Sequence, residues 1–298
     1  MSPAGPARKD AHRLLDALHD VLAHEPLDLT EAALVIARLE YPNLDPQPYR
    51  DTLNRLGAEA ARRLGRVSGP SPRARVAVLN ALLFEEERFA GDLARYEDVR
   101  NSFINEVIDR RVGIPITLAL IYIEVARRAG WHVDGVSFPG HFLLRVPGVG
   151  DDDLILDPFA AGAEVTEEDG RLLFARHMGQ EQADAPVDPV LFEPCTSRHL
   201  IARMLNNLKR AYLELRLFPL ARRVTDLLLA VEPTRLSELR DRGLIAYHLE
   251  DFPSALRDLE DYLRLNGWSE HSENADREEC DEIFEHIKTL KRRVAGMN

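Results

Sequence analysis

A lone histidine, His141 in Phe138-Pro-Gly-His-Phe-Leu-Leu-Arg-Val146, is followed along the chain by Asp157 in Asp153-Leu-Ile-Leu-Asp-Pro-Phe159. An imidazole whose tautomer is fixed by a carboxylate is the general base of nucleophilic catalysis. Upstream, Gly113-Ile-Pro-Ile-Thr117 opens an apolar helix. A helix start, then a strand with His, then a strand with Asp is the order in which a Cys-His-Asp triad is displayed. The helix N-terminus carries partial positive charge and favours a thiolate over a thiol. Here the helix start holds no thiol. Pro115 stands there, with no nucleophile and no N–H to stabilise an oxyanion. The nearest hydroxyl is that of Thr117, a weak substitute that needs a strong, aligned base. The two cysteines, Cys195 and Cys280, lie far from this segment and read as free thiols.

The elements that must position these groups follow from periodicity and punctuation. Pro115 suits the first helical position, where its missing N–H costs nothing. Leu118, Ile121, Tyr122 and Val125 repeat at helical spacing, and Gly130 ends the helix. Short apolar runs at 131–136, 142–146 and 154–156 are separated by Pro, Gly and a triple-Asp loop at 151–153. That pattern predicts a small, mainly antiparallel sheet packed on the Pro115 helix, with His141 and Asp157 on its strands. The first 95 residues read as helical: 11–24, a helix from Thr30 to Pro42, 47–65 and 72–89. Asn101 to Arg111 reads as one more helix.

With 298 residues the chain is long enough for about two domains. Its 45% apolar and 30% charged content is that of a globular protein, and its net charge of −12 argues against a general nucleic-acid binder. The longest apolar run, 114–125, is too short to span a bilayer and contains Glu124. No apolar leader is evident near the N-terminus, so a cytoplasmic location is expected, with no membrane association. No phosphate loop, dinucleotide fingerprint or zinc spacing occurs, and His19 and His24 do not share a helix face; no cofactor and no metal are expected.

Beyond the prolines at 186, 189 and 194 the chain repeats itself. Leu215, Phe218, Pro219 and Ala221 recur as Leu249, Phe252, Pro253 and Ala255, each at an offset of 34. Leu205 and Leu239 keep that offset, and residues 277–295 can supply a closing helix. A 34-residue helix-turn-helix period resembles the tetratricopeptide repeat, with Ala221 and Ala255 at its small crossing position, Pro233 at its terminal proline and Gly243 at its helix glycine. The aromatic that opens the first helix of that repeat is absent.

The middle of the chain resembles the transglutaminase-like, papain-related core. Gly113 and Gly130 match the two ends of that family's nucleophile helix and put its Cys position on Pro115. A slip of one residue gives Ile114 or Ile116; only a slip of two reaches Thr117. His141 falls on the family's His and Asp157, before Pro158, on its Asp. As a whole the chain is similar to the bacterial SirB-type proteins. That likeness rests on Asn101-Ser102, Arg110-Arg-Val-Gly-Ile-Pro-Ile-Thr117, Pro139-Gly-His-Phe142, Asp157-Pro-Phe159 and Arg203-Met-Leu-Asn-Asn-Leu208. The resemblance implies an α+β fold: a helical N-terminal region, a transglutaminase-like core of helix and small antiparallel sheet, and C-terminal tetratricopeptide-like helical repeats. The expected division is a disordered tail over 1–10, a helical region over 11–95, the core over 96–185, a linker over 186–197 and repeats over 198–298.

Two functions are open. The first is a non-catalytic protein that holds a peptide or protein partner in the old cleft and on the repeats, in a regulatory or scaffolding role, with a homodimer as an open option. The second is an atypical hydrolase or acyltransferase that uses His141 and Asp157 with water or Thr117. An accessible His141 within reach of Thr117 would favour the enzyme. A His141 buried under Phe138 and Phe142 would favour the binding protein. Asn101, Ser102 and Arg111 are candidate binding residues, with helix capping and ion pairing as their plain alternatives.

Overall fold

The structure, a computed structural model, describes residues 6–67, 69, 71–148, 153–179, 187–268 and 277–295. The chain divides into two compact units, Asp20–Met204 and a second made of Met1–His19 with Leu205–Asn298. In the order of the chain the helices are α1 (Pro6–Leu22), α2 (Leu29–Ala37), α3 (Gln47–Leu64), α4 (Pro72–Asn80), α5 (Ile104–Arg110), α6 (Pro115–Arg128), α7 (Glu167–Met178), α8 (Ser197–Glu214), α9 (Phe218–Val231), α10 (Leu236–His248), α11 (Phe252–Leu265) and α12 (Arg277–Ala295). The strands are β1 (Ala90–Gly91), β2 (Val112–Gly113), β3 (Asp134–Val136), β4 (Leu143–Val146), β5 (Leu154–Asp157) and β6 (Ala163–Glu164). The α+β class follows.

Within residues 20–204, α6 is the central element. Every residue from Pro115 to Ala126 is buried, as befits a helix that is apolar on all sides. Its one interior charge, Glu124, is 1% exposed. Three donors hold that carboxylate: the Thr30 hydroxyl, Arg127 Nε at 3.1 Å and Arg128. A buried carboxylate needs such a set to offset its lost hydration. Helix α6 packs against α3, β3 and β4. The sheet is an antiparallel meander in the order β3-β4-β5-β6, with Gly135 opposite Leu144 and Leu144 opposite Leu156. Val136, Phe138 and Leu143 form a cluster with Val187, Leu173 and Phe174, so α7 covers part of the sheet. A parallel pair, β1 with β2, leads the chain into α6.

Four local expectations change. Helix α1 begins at Pro6, inside the segment expected to be a disordered tail; proline is tolerated in a first turn, and the following residues are helix formers. Residues 1–5 of that tail, and residues 151, 152 and 186 of the expected loop and linker, lie outside the described residues. The helix expected over 72–89 ends as α4 at Asn80 and continues as a π-helical turn, Ala81–Glu86. The helix expected over 101–111 is broken at Phe103, whose extended backbone (φ −102°, ψ 123°) separates a 3-10 turn at Val99–Ser102 from α5. His141 lies in the turn before β4 instead of on a strand.

In the other unit, α9 and α11 start and end one period apart, at Phe218 and Phe252 and at Val231 and Leu265. Helices α9, α10, α11 and α12 pack as sequential neighbours. Ala221 and Ala255 are fully buried. A Cβ at Gly243 would come within 2.7 Å of the Leu259 side chain, so α10 meets α11 at glycine distance. Lys209 Nζ bridges Glu238 (2.6 Å) and Asp241 (2.7 Å), pairing the cation of α8 with acids of α10.

Candidate functional site

Phe138-Pro-Gly-His141 is a tight turn, closed by the His141 N–H donating to the Phe138 carbonyl at 3.1 Å. Proline presets the second position, and Gly140 at φ +68° supplies the left-handed third position. A side chain at Gly140 would also meet the His177 ring, about 2.6 Å from its Nδ1. The turn thus aims the imidazole while α7 closes against its backbone. Asp157 ends β5 and caps the 3-10 turn Pro158–Ala160 by accepting from the Phe159 N–H at 2.8 Å.

The two side chains meet. His141 Nε2 and Asp157 Oδ1 are 2.9 Å apart, and both side chains are largely buried, 14% and 13% exposed. A carboxylate oxygen only accepts, so Nε2 donates. In the neutral ring Nδ1 is then an acceptor, and it has no hydrogen-bond partner among the described residues. The Phe159 ring stands edge-on to His141 and to Tyr96, with centroids 6.2 and 5.8 Å apart.

These groups line one cleft of about 490 Å³. Leu93, Tyr96, Phe159 and Leu173 give it apolar walls; His141, Asp157, Arg176 and His177 give it polar groups. Leu93 is 84% exposed, a large side chain left open at the cleft. Arg176 has no ion-pair partner among the described residues. Sequence reasoning missed Arg176 and His177. Basic residues in the last turn of a helix complement its dipole, and nothing in the spacing says that α7 turns them toward the cleft.

The other expected residues lie outside this lining. Pro115 is buried at the first position of α6. Thr117 is fully buried, and its hydroxyl donates to the Asn101 carbonyl at 2.8 Å while accepting from the Ile114 N–H at 3.2 Å. Its contacts serve the helix start and do not include His141. Asn101 is fully buried, donating to Asp92 (3.2 Å) and to the Arg95 carbonyl (2.8 Å) and accepting from Arg110 (2.8 Å). Ser102 is buried beside it. Arg111 ends α5 in the left-handed region at φ 61°, donates to Glu87 at 2.9 Å and lies over the Phe89 ring at 4.7 Å. Of the three, Asn101 is tied to the start of α6, through its carbonyl and the Thr117 hydroxyl. Neither cysteine joins the cleft. Burial pushes the Cys195 thiol up to about 11, and Cys280 is buried in the helical unit.

Among the described residues, no group of three or more His, Cys, Asp or Glu side chains is arranged to hold a metal ion, and no helix is long and apolar enough to cross a membrane.

Comparison with known proteins agrees with this architecture. The family model of the transglutaminase-like superfamily matches residues 47–206, and that of the tetratricopeptide repeat matches residues 208–285. The chain is 41% identical to a UPF0162 protein of Xylella fastidiosa, over 81% of this chain and 85% of that protein. It is 31% identical to a UPF0162 protein of Vibrio cholerae, over 80% and 86% respectively. It is also 28% identical to human F-box only protein 21, over 59% of this chain and 28% of that protein. No solved structure matches the chain.

Proposed function

The chain belongs to the UPF0162 (SirB-type) family, with a transglutaminase-like core followed by tetratricopeptide repeats, and on that premise we propose that it binds a peptide or protein partner without catalysis. The observation that carries this reading is Pro115. The position that would present a nucleophile holds a buried proline, while the His141–Asp157 pair and its cleft persist. The cleft takes a short peptide segment, the repeats hold the rest of the partner, and the protein acts in the cytoplasm as a regulatory or scaffolding element.

The test is a crosslinking pull-down from native cells with the full chain, His141→Phe and Ala255→Trp. Each variant should lose the partner that the full chain captures. Turnover on amidase, protease or transglutaminase panels that disappears on iodoacetamide treatment or in Cys195→Ser would overturn the reading.

One observation favours a second reading. His141 Nδ1 is free of protein partners among the described residues and belongs to a cleft-lining side chain, the position of a base that activates water. An atypical hydrolase would use His141 and Asp157 in this way. The committed hydroxyl of Thr117 gives no support to that residue as its nucleophile. Turnover that is insensitive to alkylation and lost in His141→Ala would establish the hydrolase.

A further inference from the structure

The cleft that the proposed function assigns to a partner has a specific chemistry. Its one fixed cation, Arg176, has no ion-pair partner among the described residues. Its one carboxylate, Asp157, is engaged by His141 and by the Phe159 N–H. The remaining polar groups are the two imidazoles, and the rest of the lining is largely apolar. In a chain of net charge −12 this is a local site for a negative group.

Resting on the peptide-binding reading of the same cleft, we infer that it takes a ligand presenting a carboxylate to Arg176 from an apolar body lying along Leu93, Tyr96 and Phe159. A guanidinium fork matches a carboxylate with two parallel N–H···O bonds. A phosphate dianion fits less well, because one arginine would face its double charge with the Asp157 carboxylate in the same cleft. A volume of about 490 Å³ falls within the range of small-ligand sites and suits the end of a chain better than its middle. The shared chemistry has two sources, a peptide C-terminus and a free apolar organic acid.

The experiment uses the full chain and two matched libraries of N-acetylated tetrapeptides, one ending in a carboxylate and one in a carboxamide. Phenylacetate, phenylacetamide and phenyl phosphate form a second arm. Carboxylate peptides should be retained about 10-fold better than their carboxamide twins. Arg176→Met, a change at an exposed side chain, should abolish that preference without changing thermal stability. Phenylacetate binding as tightly as the best peptide supports the free acid as the source; binding more than about 10-fold weaker supports the peptide terminus. Equal retention of acid and amide, a preference that survives Arg176→Met, or phenyl phosphate binding tighter than phenylacetate overturns the inference. Equal retention that is lost in His141→Phe overturns the carboxylate alone and leaves the peptide cleft standing. Retention of nothing, or retention unchanged in His141→Phe, overturns both.

Discussion

Among the described residues His141 has one nitrogen engaged and one open, and the engaged one ties two segments together. Its bond to Asp157 links the turn before β4 to the end of β5, where Asp157 also caps the next turn. Removing the imidazole leaves a largely buried carboxylate with one donor fewer. His141→Ala should therefore lose about 1–3 kcal/mol of unfolding free energy in urea. A wild-type midpoint would mean that the pair is not a brace. Glu124 is the second residue with a measurable signature. Burial raises its pKa, but hydrogen bonds from Arg127, Thr30 and Arg128 outweigh burial and leave it below the ordinary glutamate value. A depressed folded value contributes stability above the unfolded pKa, and that contribution is lost as pH falls through the folded value. Glu124→Gln should cost about 3–5 kcal/mol at pH 7, since it breaks a buried ion pair and leaves the arginines behind. The gap between wild type and variant should narrow as the pH is lowered below the ordinary glutamate value of about 4.3. A gap that stays constant in acid urea titrations would refute the linkage.

At the scale of elements, the helical repeats were the most readable part of the chain. An offset of 34 returns at both ends of α9 and α11, because close helix crossing demands a small residue at a fixed place. Ala255 is fully buried at that crossing. Ala255→Trp should overpack it at a cost of about 1–3 kcal/mol. Hydrogen exchange should then show faster exchange in α10 and α11 with unchanged protection in β4 and β5; an unchanged pattern would refute the register. Helix α6 was equally plain from Pro115 and Gly130. The turn around His141 was less so, though its Pro-Gly pair is a turn signature, because the apolar residues after it invite an early strand. Phe103 interrupts a helix that periodicity alone runs through, since tertiary burial of its ring overrides the local preference. The cleft wall from α7 was illegible, because its facing comes from tertiary packing, with His177 against Gly140, and not from any local spacing.

For the whole molecule, the unit that contains the repeats is discontinuous in sequence: α1 as far as His19 belongs with residues 205–298. Leu14 and Leu18 of α1 are buried, so this segment contributes to an interior. Few repeats bury little apolar surface alone. A fragment of residues 198–298 should therefore unfold without a sharp transition, and a peptide of residues 6–24 added in excess should sharpen and raise its melt. A cooperative, monomeric melt of the bare fragment would refute the dependence. The same discontinuity sets a delay during synthesis. Helix α1 leaves the ribosome long before residues 205–298, and at about 5–20 residues per second this amphipathic helix waits on the order of ten to forty seconds for residue 205 onward. During that interval its apolar stripe has no companion from residues 205–298, and slow translation upstream of residue 205 would lengthen the exposure.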